Sequence, residues 1–72
     1  MDPERLDNTL RIQRARLGLT QEQLADRVGV TRKTVNTIER GRFIPSTLLA
    51  LKLAKVLGVK VEELFEISKR RY

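Results

Sequence analysis

The chain has 72 residues, a formal net charge of +6 and neither cysteine nor histidine. Disulfides, and zinc held by Cys or His, are therefore excluded as supports for a domain short enough to bury only about 60% of its unfolded surface. Association with another chain is the remaining route to extra stability, and the excess of Lys and Arg fits a polyanionic partner as readily as plain solubility.

With 40% hydrophobic and 33% charged residues the chain is expected to fold. No apolar run is long enough to span a membrane, and the opening MDPERLDNTL is too acidic and polar for a signal peptide. The lack of cysteine fits a reducing cytoplasm. No repeat, low-complexity tract or linker divides the sequence, so one domain over 1–72 is expected, with a core over 4–67 and a short basic tail over 68–72. No alternating β-branched run suggests a sheet, which leaves an all-α fold of five helices.

In chain order, the first helix is expected to open at Pro3, with Asp2 as N-cap and Glu4 favouring the positive helix start. Leu6, Leu10 and Leu17 recur at helical spacing and Gly18 stops it. The second helix opens at Thr20, which forms a capping-box pair with Gln23. Its stripe is Leu24, Ala25 and Val28, and Gly29 supplies the left-handed residue that ends it. The third helix opens at Thr31 and ends near Gly41, with Val35 and Ile38 inward. The fourth, about Thr47 to Leu57 behind a Ser46 cap, is so apolar that it is expected at the centre of the core. The fifth is short, about Val61 to Ile67, with Val61, Leu64 and Phe65 on one side.

The third helix carries the chemistry. On a wheel of about 100° per residue, Arg32, Lys33, Asn36, Thr37 and Arg40 gather opposite Val35 and Ile38, with no acid among them. Glu39 falls at the flank, close to the buried side. Arg and Lys donate to guanine O6 and N7, Asn pairs with adenine N6 and N7, and Thr offers a methyl for thymine. A face made only for solvation would more often mix Glu with Lys. Little separates the second and third helices at Gly29–Val30, so they meet at a sharp angle, and small Ala25 lets them cross closely.

GLTQEQLADRVGVTRKTVNTIERGRFIPS, followed by LALKLAKVLGV and EELF, resembles the Xre-type helix-turn-helix family of phage-repressor and Cro-like regulators over roughly Leu10 to Phe65. The resemblance implies a five-helix, lambda-repressor-like DNA-binding domain with the second and third helices as the helix-turn-helix. It implies that Arg32, Lys33, Asn36 and Thr37 face bases and that Gln21 and Thr31 bond phosphate. From their positions, Arg40 and Arg42 should clamp phosphate at the exit of the third helix, and Ser46 and Thr47 offer a second anion site at the start of the fourth. The resemblance also pairs Arg14 with Glu39 as a structural ion pair. Two positions depart from the family pattern: Gln13, where an aliphatic residue is usual, and Lys60, where a Ser or Thr cap is usual.

The expected function is sequence-specific binding of double-stranded DNA as a small regulator, a repressor or a controller protein, in the cytoplasm and associated with the nucleoid. A homodimer on a palindromic operator is expected, with half-sites about 34 Å apart. Val61, Phe65, Ile67 and Tyr72 are candidates for its interface, or Val61 and Phe65 merely close the core. An antitoxin or other protein-interaction module that also binds its own promoter is the alternative. Catalysis is not expected: Glu62, Glu63 and Glu66 are placed as dipole and solubility residues. No metal, cofactor or small-molecule ligand is expected.

Overall fold

The computed structural model describes residues 5–68. The elements run β1 (Leu6–Asn8), α1 (Leu10–Arg16), α2 (Gln21–Val28), α3 (Arg32–Glu39), α4 (Thr47–Leu57), α5 (Val61–Leu64) and β2 (Phe65–Ile67). Among the described residues five helices are present, as expected, with a small two-stranded sheet added. Expectations for Asp2, Pro3, Glu4 and Tyr72 fall outside the described residues.

The sheet corrects the reading of both ends. The first helix opens at Leu10, not Pro3, because the chain before it is extended and pairs with the segment after α5. β1 and β2 are antiparallel, with Leu6 opposite Ile67, Asp7 opposite Glu66 and Asn8 opposite Phe65. The fifth helix correspondingly stops at Leu64 rather than Ile67, and Phe65 adopts φ −130° and ψ 140°. Asn8 makes the junction. Its Oδ1 accepts the Leu10 N–H at 3.0 Å, offering the backbone a local alternative to helix. Its Nδ2 donates to the Ile38 carbonyl at 2.9 Å, tying the start of α1 to the end of α3.

The core is Leu10, Leu19, Leu24, Ala25, Val28, Val35, Ile38, Leu53, Ala54, Leu57 and Leu64. It draws on every helix and sits behind α3. α4 is less central than its composition suggests. Leu53, Ala54 and Leu57 are buried, but Leu48 and Leu51 are 64% and 53% exposed on its other side. Arg16 locks α1 to α4 by donating from Nη2 to the Leu57 carbonyl at 2.9 Å, a cation on the negative end of that helix.

The two departures from the family pattern are accommodated locally. Gln13 accepts from Arg16 Nε at 3.1 Å. At the start of α5 the Lys60 N–H donates to Glu63 Oε1 at 2.9 Å and the Glu63 N–H bonds back to the Lys60 carbonyl at 2.9 Å, so the first turn closes without a hydroxyl cap.

The turn between α2 and α3 is closed at both sides. Thr20 accepts the Gln23 N–H at 3.0 Å and Gln23 Oε1 accepts the Thr20 N–H at 2.9 Å, the reciprocal box that starts α2. Gly29 ends α2 at φ +76°, and the Val30 N–H bonds back to the Ala25 carbonyl at 3.0 Å. Thr31 then caps α3 by accepting the Thr34 N–H at 3.2 Å. A Cβ built on Gly29 would meet nothing within 4 Å. Gly29→Ala is therefore expected to cost only the left-handed backbone term, about 1–2 kcal/mol in urea unfolding, with helical content unchanged by circular dichroism.

Candidate nucleic-acid interface

Helix α3 carries Val35 and Ile38 into the core and leaves Arg32 and Lys33 exposed, as is Arg40 at its C-cap. Asn36 and Thr37 are half-buried between those faces, so the four candidate base-reading residues lie on the solvent side of one helix. Thr37 Oγ1 approaches the carbonyls of Thr34 and Lys33 at 2.9 and 3.0 Å and donates back onto its own helix. With its proton engaged there, the methyl and the oxygen's acceptor lone pairs remain for a base, and the methyl suits thymine.

The remaining candidates surround this face. Thr31 and Ser46 are both N-caps; Ser46 accepts the Leu49 N–H at 3.1 Å. Thr47, next to Ser46, is exposed at the first turn of α4. Arg40 and Arg42 are exposed at the exit of α3 and line an open cleft with Arg11, Ile12, Thr9, Asn8 and Glu39. Arg11 was not marked by the sequence. It lies on α1 and reaches this cleft only because α1 and α3 pack together.

Behind the face stands a buried carboxylate. The Glu39 side chain is 0% exposed and its oxygens accept from three side chains. Arg14 grips it with a fork, Nε to Oε2 at 2.6 Å and Nη2 to Oε1 at 3.2 Å, while Arg14 Nη1 donates to the Leu19 carbonyl at 2.8 Å. Arg11 Nε adds a longer contact to Oε1 at 3.4 Å. Burial pushes the Glu39 carboxyl up. The hydrogen bonds from Arg14 and Gln21, attraction to the Arg14 guanidinium and the Arg11 contact outweigh it and hold the carboxyl below its ordinary value of 4.5. The Arg14 guanidinium is correspondingly raised, chiefly by its hydrogen bond to Glu39.

Gln21 is placed differently from a simple phosphate ligand. Its Nε2 donates to Glu39 Oε1 at 3.0 Å and to Asn36 Oδ1 at 3.2 Å. The side-chain amide thus bridges the buried ion pair and the outward face of α3.

A sharp turn, an outward cationic helix and a braced rear face define a helix-turn-helix DNA-binding domain, and the chain belongs to that family: the family model described as Helix-turn-helix matches residues 10–64. The family is one of DNA-binding transcription regulators, not of enzymes. Its relatives include the uncharacterised HTH-type transcriptional regulator YgzD of Bacillus subtilis, 48% identical over 60 residues, covering 83% of this chain and 91% of that protein. An HTH-type transcriptional regulator of Methanocaldococcus jannaschii matches at the same identity and coverage, 48% over 60 residues, 83% and 91%. Among solved structures, the restriction-modification controller protein C.AhdI of Aeromonas hydrophila superposes with a TM-score of 0.70 at 41% identity, over 75% of this chain and 82% of that one.

Proposed function

We propose that the protein represses transcription by binding a palindromic operator as a homodimer, with α3 of each subunit in the major groove. The observation that carries this reading is the outward set Arg32, Lys33, Asn36 and Thr37 on a helix whose other side is locked into the core. In this reading those residues meet base edges, and Thr31, Arg40, Arg42, Ser46, Thr47 and the Gln21 end of α2 hold phosphates. The protein has no catalytic role and acts in the cytoplasm at the nucleoid. Among the described residues, no helix is long and apolar enough to cross a membrane.

Dimerisation is supported by uncovered apolar surface at one end of the fold. Leu6, Leu51, Val61 and Phe65 line one shallow cleft. Ile67 pairs directly with Leu6 and is exposed, and Leu48 lies one turn from Leu51 on α4. Val61 and Phe65 also pack partly against the core, the other role that the sequence left open for them.

The test compares affinity for a selected duplex and for random duplexes across a salt series. Asn36→Ala is expected to weaken the selected duplex by about 1–3 kcal/mol per half-site and leave random DNA unchanged. Arg42→Ala is expected to weaken both alike and to reduce the salt slope by about one per bound subunit. Equal affinity of the unaltered protein for selected and random duplexes contradicts sequence-specific binding.

A further inference from the structure

We propose that Arg11 carries α1 onto the DNA: the two Nη groups of its guanidinium, together with Arg40 and Arg42, hold a backbone phosphate beside the base pairs that α3 reads. This rests on reading α3 as the base-contacting helix. Arg40 and Arg42 lie at the exit of that helix, and Arg11 lines the same open cleft from α1. Glu39 is the one acid among the lining residues. Its side chain is 0% exposed, and its carboxylate is held by Arg14 and Gln21. One negative charge, already shared with Arg14, cannot balance three further guanidiniums gathered around one cleft, and like charges repel. A phosphate on the open side relieves that repulsion and accepts their hydrogen bonds.

Arg11 and Arg14 share a helix and an acid, but only one of them has donors to give. Arg14 is fully engaged inside the fold. Its Nε and Nη2 go to Glu39 at 2.6 and 3.2 Å, its Nη1 goes to the Leu19 carbonyl at 2.8 Å, and only 16% of the side chain is exposed. Arg11 is 66% exposed and, among the described residues, meets Glu39 through Nε alone at 3.4 Å. That contact draws the side chain toward α3 and leaves the four N–H bonds of its Nη groups for an acceptor from outside. The planar fork they form matches phosphate oxygens two at a time. The other polar side chains of the cleft offer less. Asn8 is engaged at both ends of its amide, with Leu10 and Ile38, and the Thr9 hydroxyl donates to the Glu63 carbonyl at 2.8 Å. The donors facing solvent are therefore chiefly those of arginine, which grip backbone without reading sequence.

The test compares the unaltered protein with Arg11→Ala. Affinity for the selected duplex and for random duplexes is measured across a salt series, and the phosphates whose ethylation weakens binding are then mapped on the selected duplex. Arg11→Ala is expected to weaken both kinds of duplex by the same factor and to lower the slope of log affinity against log salt by about one per bound subunit. One phosphate in each half-site whose ethylation weakens the unaltered protein is expected to become indifferent for Arg11→Ala, and Arg42→Ala is expected to lose its sensitivity at that same phosphate. The melting temperature of Arg11→Ala should fall by no more than about 4 °C, because Arg14 and Gln21 still hold Glu39. An unchanged slope, or an ethylation pattern identical to that of the unaltered protein, overturns the proposal. So does a loss confined to the selected duplex, which would make Arg11 a base contact. A larger fall in melting temperature makes Arg11 a brace of Glu39 and overturns it as well. If the unaltered protein shows no preference for the selected duplex, base reading by α3 fails, and the slope on random duplexes still decides whether Arg11 grips phosphate.

Discussion

Glu39→Ala is expected to lower the unfolding free energy by about 3–5 kcal/mol, the range for removing one partner of a buried ion pair. The substitution strands the Arg14 fork, of which only 16% of the side chain is exposed, and leaves Gln21 without its inner acceptor. A domain of this length has a total stability of about 4–11 kcal/mol, so the loss removes from about a quarter to the whole of it. Urea melts followed by circular dichroism measure the loss. Its pH dependence follows from the same carboxylate. Glu39 is held below its ordinary 4.5 in the folded protein, so the unfolded chain binds its proton first as pH falls. The stabilisation is fully present above that ordinary value and is lost as pH falls through the folded one. Glu39→Gln is expected to be less stable at neutral pH and to lack this share of the acid decline.

Arg32→Ala is expected to produce the largest loss of DNA affinity with the least loss of stability. The side chain is exposed at the first turn of α3, apart from the core, so folding should change by no more than about 0.5 kcal/mol. A bidentate Arg–guanine contact is worth about 1–3 kcal/mol. In a two-fold complex it is lost twice, about 2–6 kcal/mol, or at least roughly thirty-fold in affinity for the selected duplex. Titration calorimetry of the selected duplex, beside a thermal melt of the free protein, separates the two effects. A variant that binds as the unaltered protein does would remove Arg32 from the reading face.

The helix-turn-helix was legible because its signals are local. Thr20 with Gln23, left-handed Gly29 and the caps Thr31 and Ser46 each act within a few residues, and the structure places all of them as the spacing implied. The sheet was not legible because it joins Leu6–Asn8 to Phe65–Ile67, segments of three residues each from opposite ends of the described chain. Nothing in so short a strand distinguishes it from a helix turn. The uncovered side of α4 was hidden for a different reason: where nearly every residue is apolar, the pattern cannot say which side is covered.

The candidate interface divides in the same way. The outward direction of Arg32, Lys33 and Arg40 follows from helical period alone. The partner of Glu39 does not: Arg14 was named through family resemblance, and its 2.6 Å contact depends on how α1 crosses α3. The bond from Gln21 to Asn36 was beyond both, since it depends on how α2 crosses α3.

Placement of α3 in the major groove is tested most directly by intermolecular NOEs between the protein and its selected duplex. Contacts from the side chains of Arg32, Lys33, Asn36 and Thr37 to major-groove base protons, including a Thr37 methyl contact to a thymine methyl, are the predicted result. Base contacts arising instead from α1 or α4, with those four side chains free of DNA, would contradict it.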